Sequence, residues 1–189
     1  MALEPLTHFH EKFLPFFEKF DHVLFETRTK SSNIEVFKTL KNLTGKKYLN
    51  TEIAFSLNPQ EIIATYEKKT SSLTQRIEAI NQLLQLGYRV GLRFLPLLPV
   101  HHFQTLYEQF LQDLQQKVDF SQISSIFIAP ILYNEDDYQK IMKIYNFPFL
   151  KELSHQEHGL RKMAPDFYSF FDELFHKYFP EKRILRDYQ

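Results

Sequence analysis

A chain of 189 residues is the length of one ordinary domain, and a domain of that size buries roughly 70% of the surface its unfolded chain exposes. Its 43% apolar and 24% charged residues are those of a globular protein, not a disordered one, and its 23 basic residues cancel its 23 acidic ones, so bulk charge draws it to no polyanion. With no cysteine in the sequence, disulfides, thiolate nucleophiles and cysteine-ligated zinc or iron–sulfur centres are excluded within this chain. No apolar run reaches the roughly 20 residues of a membrane span, and Met1–Thr7 lacks the regions of a signal peptide, so the expected setting is the cytoplasm.

In chain order, Phe13, Phe16 and Phe17 mark an opening helix. His22–Thr27 then reads as the first of four buried strands, short and rich in β-branched or aromatic residues; the others are Asn50–Ser56, Arg89–Phe94 and Ser124–Pro130. Between the first two, Ser32 and Glu35 open a helix carrying Ile34, Phe37 and Leu40. Ser72 with Gln75 forms a capping box before the stripe Leu73, Ile77, Ile80, Leu83 and Leu84, which Gly87 closes. Phe103, Leu106, Tyr107, Phe110, Leu111 and Leu114 form a further stripe, Tyr138, Ile141, Met142 and Tyr145 another, and Phe167, Phe170, Phe171, Leu174 and Phe175 mark a closing helix.

Strands alternating with helices at this spacing predict a single α/β domain over 1–189, with a parallel sheet. Four strands are too few to close a barrel, so the expectation is a partial (β/α) barrel. Tyr66 and Glu67 are expected to play structural roles in a turn between helices, Glu135-Asp136-Asp137 to be an acidic first helical turn, and Glu181–Arg186 to be a solvated end. His8 with His10, His101 with His102, and His155 with His158 are the histidine groupings. The last two could share a helical face, but none has an obvious third ligand, so no metal site is assigned.

In parallel α/β folds ligands bind beyond the carboxyl ends of the strands. Those positions here hold Arg28-Thr29-Lys30-Ser31-Ser32-Asn33, then Ser56-Leu57-Asn58-Pro59, then Arg93-Phe94, then Ala129-Pro130. Cations, hydroxyls and amides at three of these ends suit an anionic ligand such as a carboxylate or phosphate. The same residues also suit ordinary duties: solvated cations, turn hydrogen bonds and helix caps. Spacing alone leaves the two even.

The stretch from Glu26 to Pro99 carries a family likeness. It contains R-T-K-S-S-N at Arg28–Asn33, S-L-N-P at Ser56–Pro59, Y-E-K-K-T-S-S-L-T-Q-R-I-E-A at Tyr66–Ala79 and G-Y-R-V-G-L-R-F at Gly87–Phe94. In that order these motifs resemble those of the spore photoproduct lyase family of radical-SAM enzymes. The opening A-L-E-P-L-T resembles the helix after that family's second strand, and the likeness runs from Ala2 to about Tyr133. It implies a partial barrel that binds S-adenosylmethionine and a [4Fe–4S] cluster, and lyase chemistry that repairs DNA photoproducts. By resemblance, Lys30 and Ser56 hold the methionine part of S-adenosylmethionine, with Asn58 a neighbouring hydrogen-bonding group. Arg93 points into the substrate cavity, and Arg28 stands on the same substrate side.

The departure is the cluster. The family carries it on a C-x-x-x-C-x-x-C loop, cluster binding needs thiolates, and this chain has none. The resemblance therefore implies the C-terminal part of such a protein, truncated relative to a whole barrel and inactive alone. A cysteine-bearing N-terminal half would complete it, or the chain would self-associate through its uncovered first strand. Contact with nucleic acid follows by resemblance only. The alternative is a non-enzymatic S-adenosylmethionine- or nucleotide-binding module or remnant. An unrelated hydrolase finds no G-x-S-x-G, glycine-rich phosphate loop or cysteine–histidine pair in its favour.

Overall fold

The computed structural model describes residues 4–45, 48–145 and 147–187. Its strands are Phe25–Thr29 (β1), Thr51–Ser56 (β2), Arg89–Leu97 (β3), Ser125–Pro130 (β4), Tyr133–Asn134 (β5), His155–Glu157 (β6), Leu160–Lys162 (β7) and Ile184–Arg186 (β8). Its helices are Glu4–Thr7 (α1), Phe9–Phe17 (α2), Glu35–Thr44 (α3), Gln60–Tyr66 (α4), Leu73–Gln85 (α5), Phe103–Gln115 (α6), Glu135–Ile144 (α7) and Pro165–Tyr178 (α8). Five strands form one sheet in the order β1-β2-β3-β4-β8, every neighbouring pair parallel. The predicted α/β class, parallel sheet and partial barrel hold.

Several expectations are corrected. The first strand begins three residues later than His22 and ends two residues later than Thr27, so Arg28 and Thr29 lie inside β1 and not beyond it. Glu181–Arg186 is not wholly a solvated end: its last three residues are β8, which pairs Ile184 with Ile126 and Leu185 with Phe127 and adds a fifth strand to the four expected. His155 and His158 share no helical face, because β6 and β7 form an antiparallel hairpin whose turn is His158-Gly159. Both turn residues have positive φ, at 50° and 77°, as a two-residue type I′ loop requires. β5 pairs with β7 and completes a separate three-stranded sheet.

Strand alternation gives the main sheet two unlike faces. One presents Ile53 and Phe55 of β2, Val90, Leu92 and Phe94 of β3, Ile126 and Ile128 of β4 and Ile184 of β8, all buried in the apolar core. The helices supply the other side of that core: Val36, Phe37 and Leu40 of α3, Ile77, Ile80 and Leu83 of α5, Tyr107, Phe110, Leu111 and Leu114 of α6, and Phe167, Phe171, Leu174 and Phe175 of α8. The opposite face carries Glu26, Arg28, Glu52, Ala54, Ser56, Gly91, Arg93, Ser125 and Phe127, the cross-strand neighbours in the parallel register.

Local signals explain where the helices begin. Ser72 Oγ accepts from the Gln75 amide (3.3 Å) and Gln75 Oε1 from the Ser72 amide (2.9 Å), so the predicted capping box is formed, and Gly87 follows α5 with φ 79°. Glu135-Asp136-Asp137 is the first turn of α7, capped by Asn134 Oδ1 on the Asp137 amide (2.8 Å). Ser32 does not open a helix: α3 starts at Glu35, whose amide donates to Asn33 Oδ1 (3.2 Å), while the Ser32 and Ser71 hydroxyls meet at 3.0 Å. α2 buries His10 and Leu14 and leaves Phe9, Phe13 and Phe16 at least 39% exposed, the reverse of what its phenylalanines suggest. The A-L of the opening A-L-E-P-L-T lies outside the described residues, and no described helix is long and apolar enough to cross a membrane.

Thr51, at the start of β2, is fully buried, and its hydroxyl has no hydrogen-bond partner among the described residues. A buried hydroxyl without a partner destabilises, and an isosteric methyl removes that penalty. Thr51→Val is expected to raise the stability to urea unfolding by about 1 kcal/mol.

Candidate functional site: an ionic hub at the strand ends

The carboxyl ends of β1 and β2 are drawn together by one side chain that the sequence marked only as structural. Glu67, just after α4, has 6% of its side chain exposed. Its Oε1 accepts from Lys30 Nζ (2.7 Å), one residue beyond β1, and from Asn58 Nδ2 (3.2 Å), two residues beyond β2. Its Oε2 accepts from Arg76 Nη2 at 2.6 Å. Burial pushes the Glu67 carboxyl upward, but hydrogen bonds from Lys30 and Arg76, the charge of Arg76 and the Asn58 amide together hold it below its ordinary value.

Arg76 is fully buried on α5 and spends its guanidinium on four acceptors: Glu67, the Ser56 carbonyl (2.8 Å), the Ser71 carbonyl (2.9 Å) and Thr70 Oγ1 (2.8 Å). It thereby pins the end of β2 to the loop that carries Glu67. Asn58, also fully buried, accepts on Oδ1 from the Tyr107 hydroxyl (3.1 Å), which accepts in turn from the Leu98 amide (3.1 Å) just past β3. Burial raises the Tyr107 phenol above its ordinary value, so it serves as a neutral donor. Two cations thus meet one carboxylate, and among the described residues Lys30 Nζ donates to Glu67 alone.

A second cluster occupies the polar face of the sheet. Arg93, 2% exposed, places Nη2 2.6 Å from Glu26 Oε2 and against Glu52 Oε1, and Nη1 2.8 Å from Ser125 Oγ, which donates to Glu52 Oε1 at 2.6 Å. Burial works against the Arg93 charge, and Glu26 and Glu52 more than offset it, raising its value. Arg28 stands at the rim of the cluster: Nε bonds Glu26, and the guanidinium lies 5.1 Å from the Phe127 ring centroid.

The room for Arg93 comes from Gly91, where a Cβ would fall 2.7 Å from both Arg93 Nη1 and Glu52 Oε1. These atoms are ends of side chains, but each is held by several hydrogen bonds.

Of the sequence-derived residues, the structure brings Lys30 and Asn58 onto one carboxylate and ties Ser56 to them through Arg76. Arg28 and Arg93 are joined through Glu26, in the separate cluster on the sheet face. Tyr66 packs edge-on against Phe147 and Phe149, as its expected structural role requires. Glu67 does more than that role implied. Arg76, Glu26, Glu52 and Ser125 were not marked as site residues and Tyr107 was read only as part of an apolar stripe, although Glu67 and Arg76 both lie in the Y-E…R-I motif. The histidines lie elsewhere: His10 contacts Glu4 and Thr27, and His101 and His102 border a cleft of about 590 Å³ with Tyr66 and Phe149.

Two substitutions test these clusters. Arg76→Met leaves the buried Glu67 carboxylate with Lys30 as its one cationic partner, and is expected to cost about 3 kcal/mol or more in chemical denaturation. Gly91→Ala should cost about 1–3 kcal/mol by overpacking the Arg93 pocket, with near-wild-type stability as the result that refutes the close fit.

Comparison with known proteins bears on the fold and the family. The family model described as spore photoproduct lyase matches residues 1–161, beyond the Tyr133 limit of the likeness read from the motifs. A curated spore photoproduct lyase of Clostridium acetobutylicum is 26% identical over 135 residues, a span covering 71% of this chain and 38% of that protein. Among solved structures, a spore photoproduct lyase double mutant with bound AdoMet and dinucleoside spore photoproduct aligns with a TM-score of 0.78 at 17% identity. A spore photoproduct lyase complexed with dinucleoside spore photoproduct aligns equally well. Each alignment covers 96% of this chain and 56% of the other, and at that identity they establish the fold. With most of its length matched by the family model, the chain belongs to the spore photoproduct lyase family.

Proposed function

We propose that this chain is the C-terminal part of a spore photoproduct lyase-like radical-SAM protein, and that its strand ends bind the methionine moiety of S-adenosylmethionine. The observation that carries this reading is the hub. Lys30 and Asn58 donate to Glu67, and Arg76 links the Ser56 carbonyl to it, with one positive charge in excess. Such a donor set fits a carboxylate. Lys30 would take the carboxylate, with Ser56 and Asn58 as neighbouring polar groups, and S-adenosylmethionine would supply the radical precursor. Arg28 and Arg93 would border the substrate on the polar sheet face. A relative solved with AdoMet and a dinucleoside spore photoproduct supports the cofactor and makes photoproduct DNA the natural substrate class.

The [4Fe–4S] cluster does not fit this chain, since thiolate ligands are required and the sequence has no cysteine. No chemical step is assigned through it. In this reading the chain is inactive alone, and a cysteine-bearing polypeptide completes the barrel beside β1, which pairs only with β2 among the described residues. Self-association through β1 is the competing arrangement. The absence of cysteine equally favours a second reading, a non-enzymatic module that binds S-adenosylmethionine or a nucleotide. Under either, the setting is the cytoplasm.

Equilibrium titration with S-adenosylmethionine tests what both share. The wild-type chain is expected to bind, and Lys30→Ala to lose about tenfold or more in affinity, the scale of one charge-assisted hydrogen bond. An unchanged affinity in Lys30→Ala would remove Lys30 from the site.

A further inference from the structure

Lys30 reaches the strand ends already engaged. Its ammonium has three N–H donors, and among the described residues one is used, on Glu67 Oε1 at 2.7 Å. Its side chain is 32% exposed, whereas Glu67 is 6% exposed and fixed from the far side by Arg76 and from the flank by Asn58. The carboxylate is therefore the fixed member of the pair and the ammonium the accessible one. An unrestrained lysine would lose rotamer freedom on gripping a ligand. Here Glu67 has already met that cost. Because Arg76 neutralises Glu67 from behind, the charge of Lys30 is not cancelled by the contact that holds it.

We infer that Glu67 is a positioning residue for ligand selection, holding the Lys30 ammonium at the end of β1 with two donors unspent, so that the site selects S-adenosyl ligands bearing an α-carboxylate. The inference rests on the assignment of S-adenosylmethionine to this site and adds to it the group that sets the discrimination. Glu67 touches no ligand in this scheme. It acts through Lys30, and its contribution is confined to the carboxylate end of the ligand.

The experiment compares S-adenosylmethionine with its decarboxylated analogue by isothermal titration of the full chain in wild-type, Lys30→Met and Glu67→Asp forms. Aspartate keeps a negative charge for Arg76 but is one methylene too short to hold Arg76, Asn58 and Lys30 at once. The wild type is expected to prefer S-adenosylmethionine by about tenfold or more, and Lys30→Met to lose that preference. Glu67→Asp should lose most of it, weakening S-adenosylmethionine more than the decarboxylated analogue.

If Glu67→Asp weakens both ligands equally, Glu67 is merely structural and the inference fails while the Lys30 assignment stands. If Lys30→Met keeps the preference, or the wild type binds neither ligand, the site assignment itself fails. Should Glu67→Asp not fold, nitrogen-15 spectra of the lysine ammonium groups in the wild type decide. The Lys30 resonance should be visible before ligand is added, slowed in exchange by Glu67, and should shift with S-adenosylmethionine but not with the analogue. A Lys30 resonance that becomes visible only on adding ligand would show that Glu67 does not hold it.

Discussion

A carboxylate removed from water is tolerated when its charge and its lone pairs are met, and Glu67 meets both conditions with a lysine, an arginine and an amide. Each donor arrives from a different part of the chain: Lys30 from beyond β1, Asn58 from beyond β2, Arg76 from within α5. The relation between the strand ends is thus set by one anion as well as by the backbone ladder. Arg76 extends the constraint to the Ser56 carbonyl, and the Asn58–Tyr107–Leu98 relay carries it to the end of β3. Truncating any of these donors leaves buried charge or polarity unmatched, so the hub behaves as a unit.

The sheet separates its chemistry by face. Toward the helices it is hydrocarbon, and its stability there is the ordinary product of apolar burial. Away from them Glu26, Glu52, Arg28, Arg93 and Ser125 form a balanced ionic layer over Gly91, whose missing side chain is the space Arg93 occupies. A polar inner surface with its charges already satisfied resists collapse onto itself. It can therefore border a cavity without first requiring a ligand to neutralise it.

Much of the fold was legible because its signals are local. The capping box at Ser72 and Gln75, the α6 stripe from Phe103 to Leu114 and the apolar runs of β2 to β4 each lie within one short window. β8 was not legible, since Ile184-Leu185-Arg186 is too short to show a period and becomes a strand only because β4 offers a free edge. Nor was the hairpin of β6 and β7, whose residues are all half-buried or exposed and so lack hydrophobic alternation. The candidate site residues Lys30, Ser56 and Asn58 could be placed at strand ends from topology. Their common partner could not, because 37 residues separate Lys30 from Glu67 and only the folded parallel sheet brings them together. Motif likeness pointed at the segment containing Glu67 without indicating what the glutamate does.

The two borders of the sheet are chemically different, and this fixes the geometry of any assembly. β8 ends one border with a three-residue strand and β1 ends the other with a five-residue strand, each with its outer ladder unpaired among the described residues, and β1 lies beside a helix that exposes Phe9, Phe13 and Phe16. Two copies meeting through β1 would be related by a two-fold axis, which sets the joining strands antiparallel. A polypeptide that continues the barrel must instead run parallel to β1, as every existing neighbour pair does. Strand polarity at that seam, visible in the hydrogen-bond pattern alone, therefore separates a homodimer from a completed barrel.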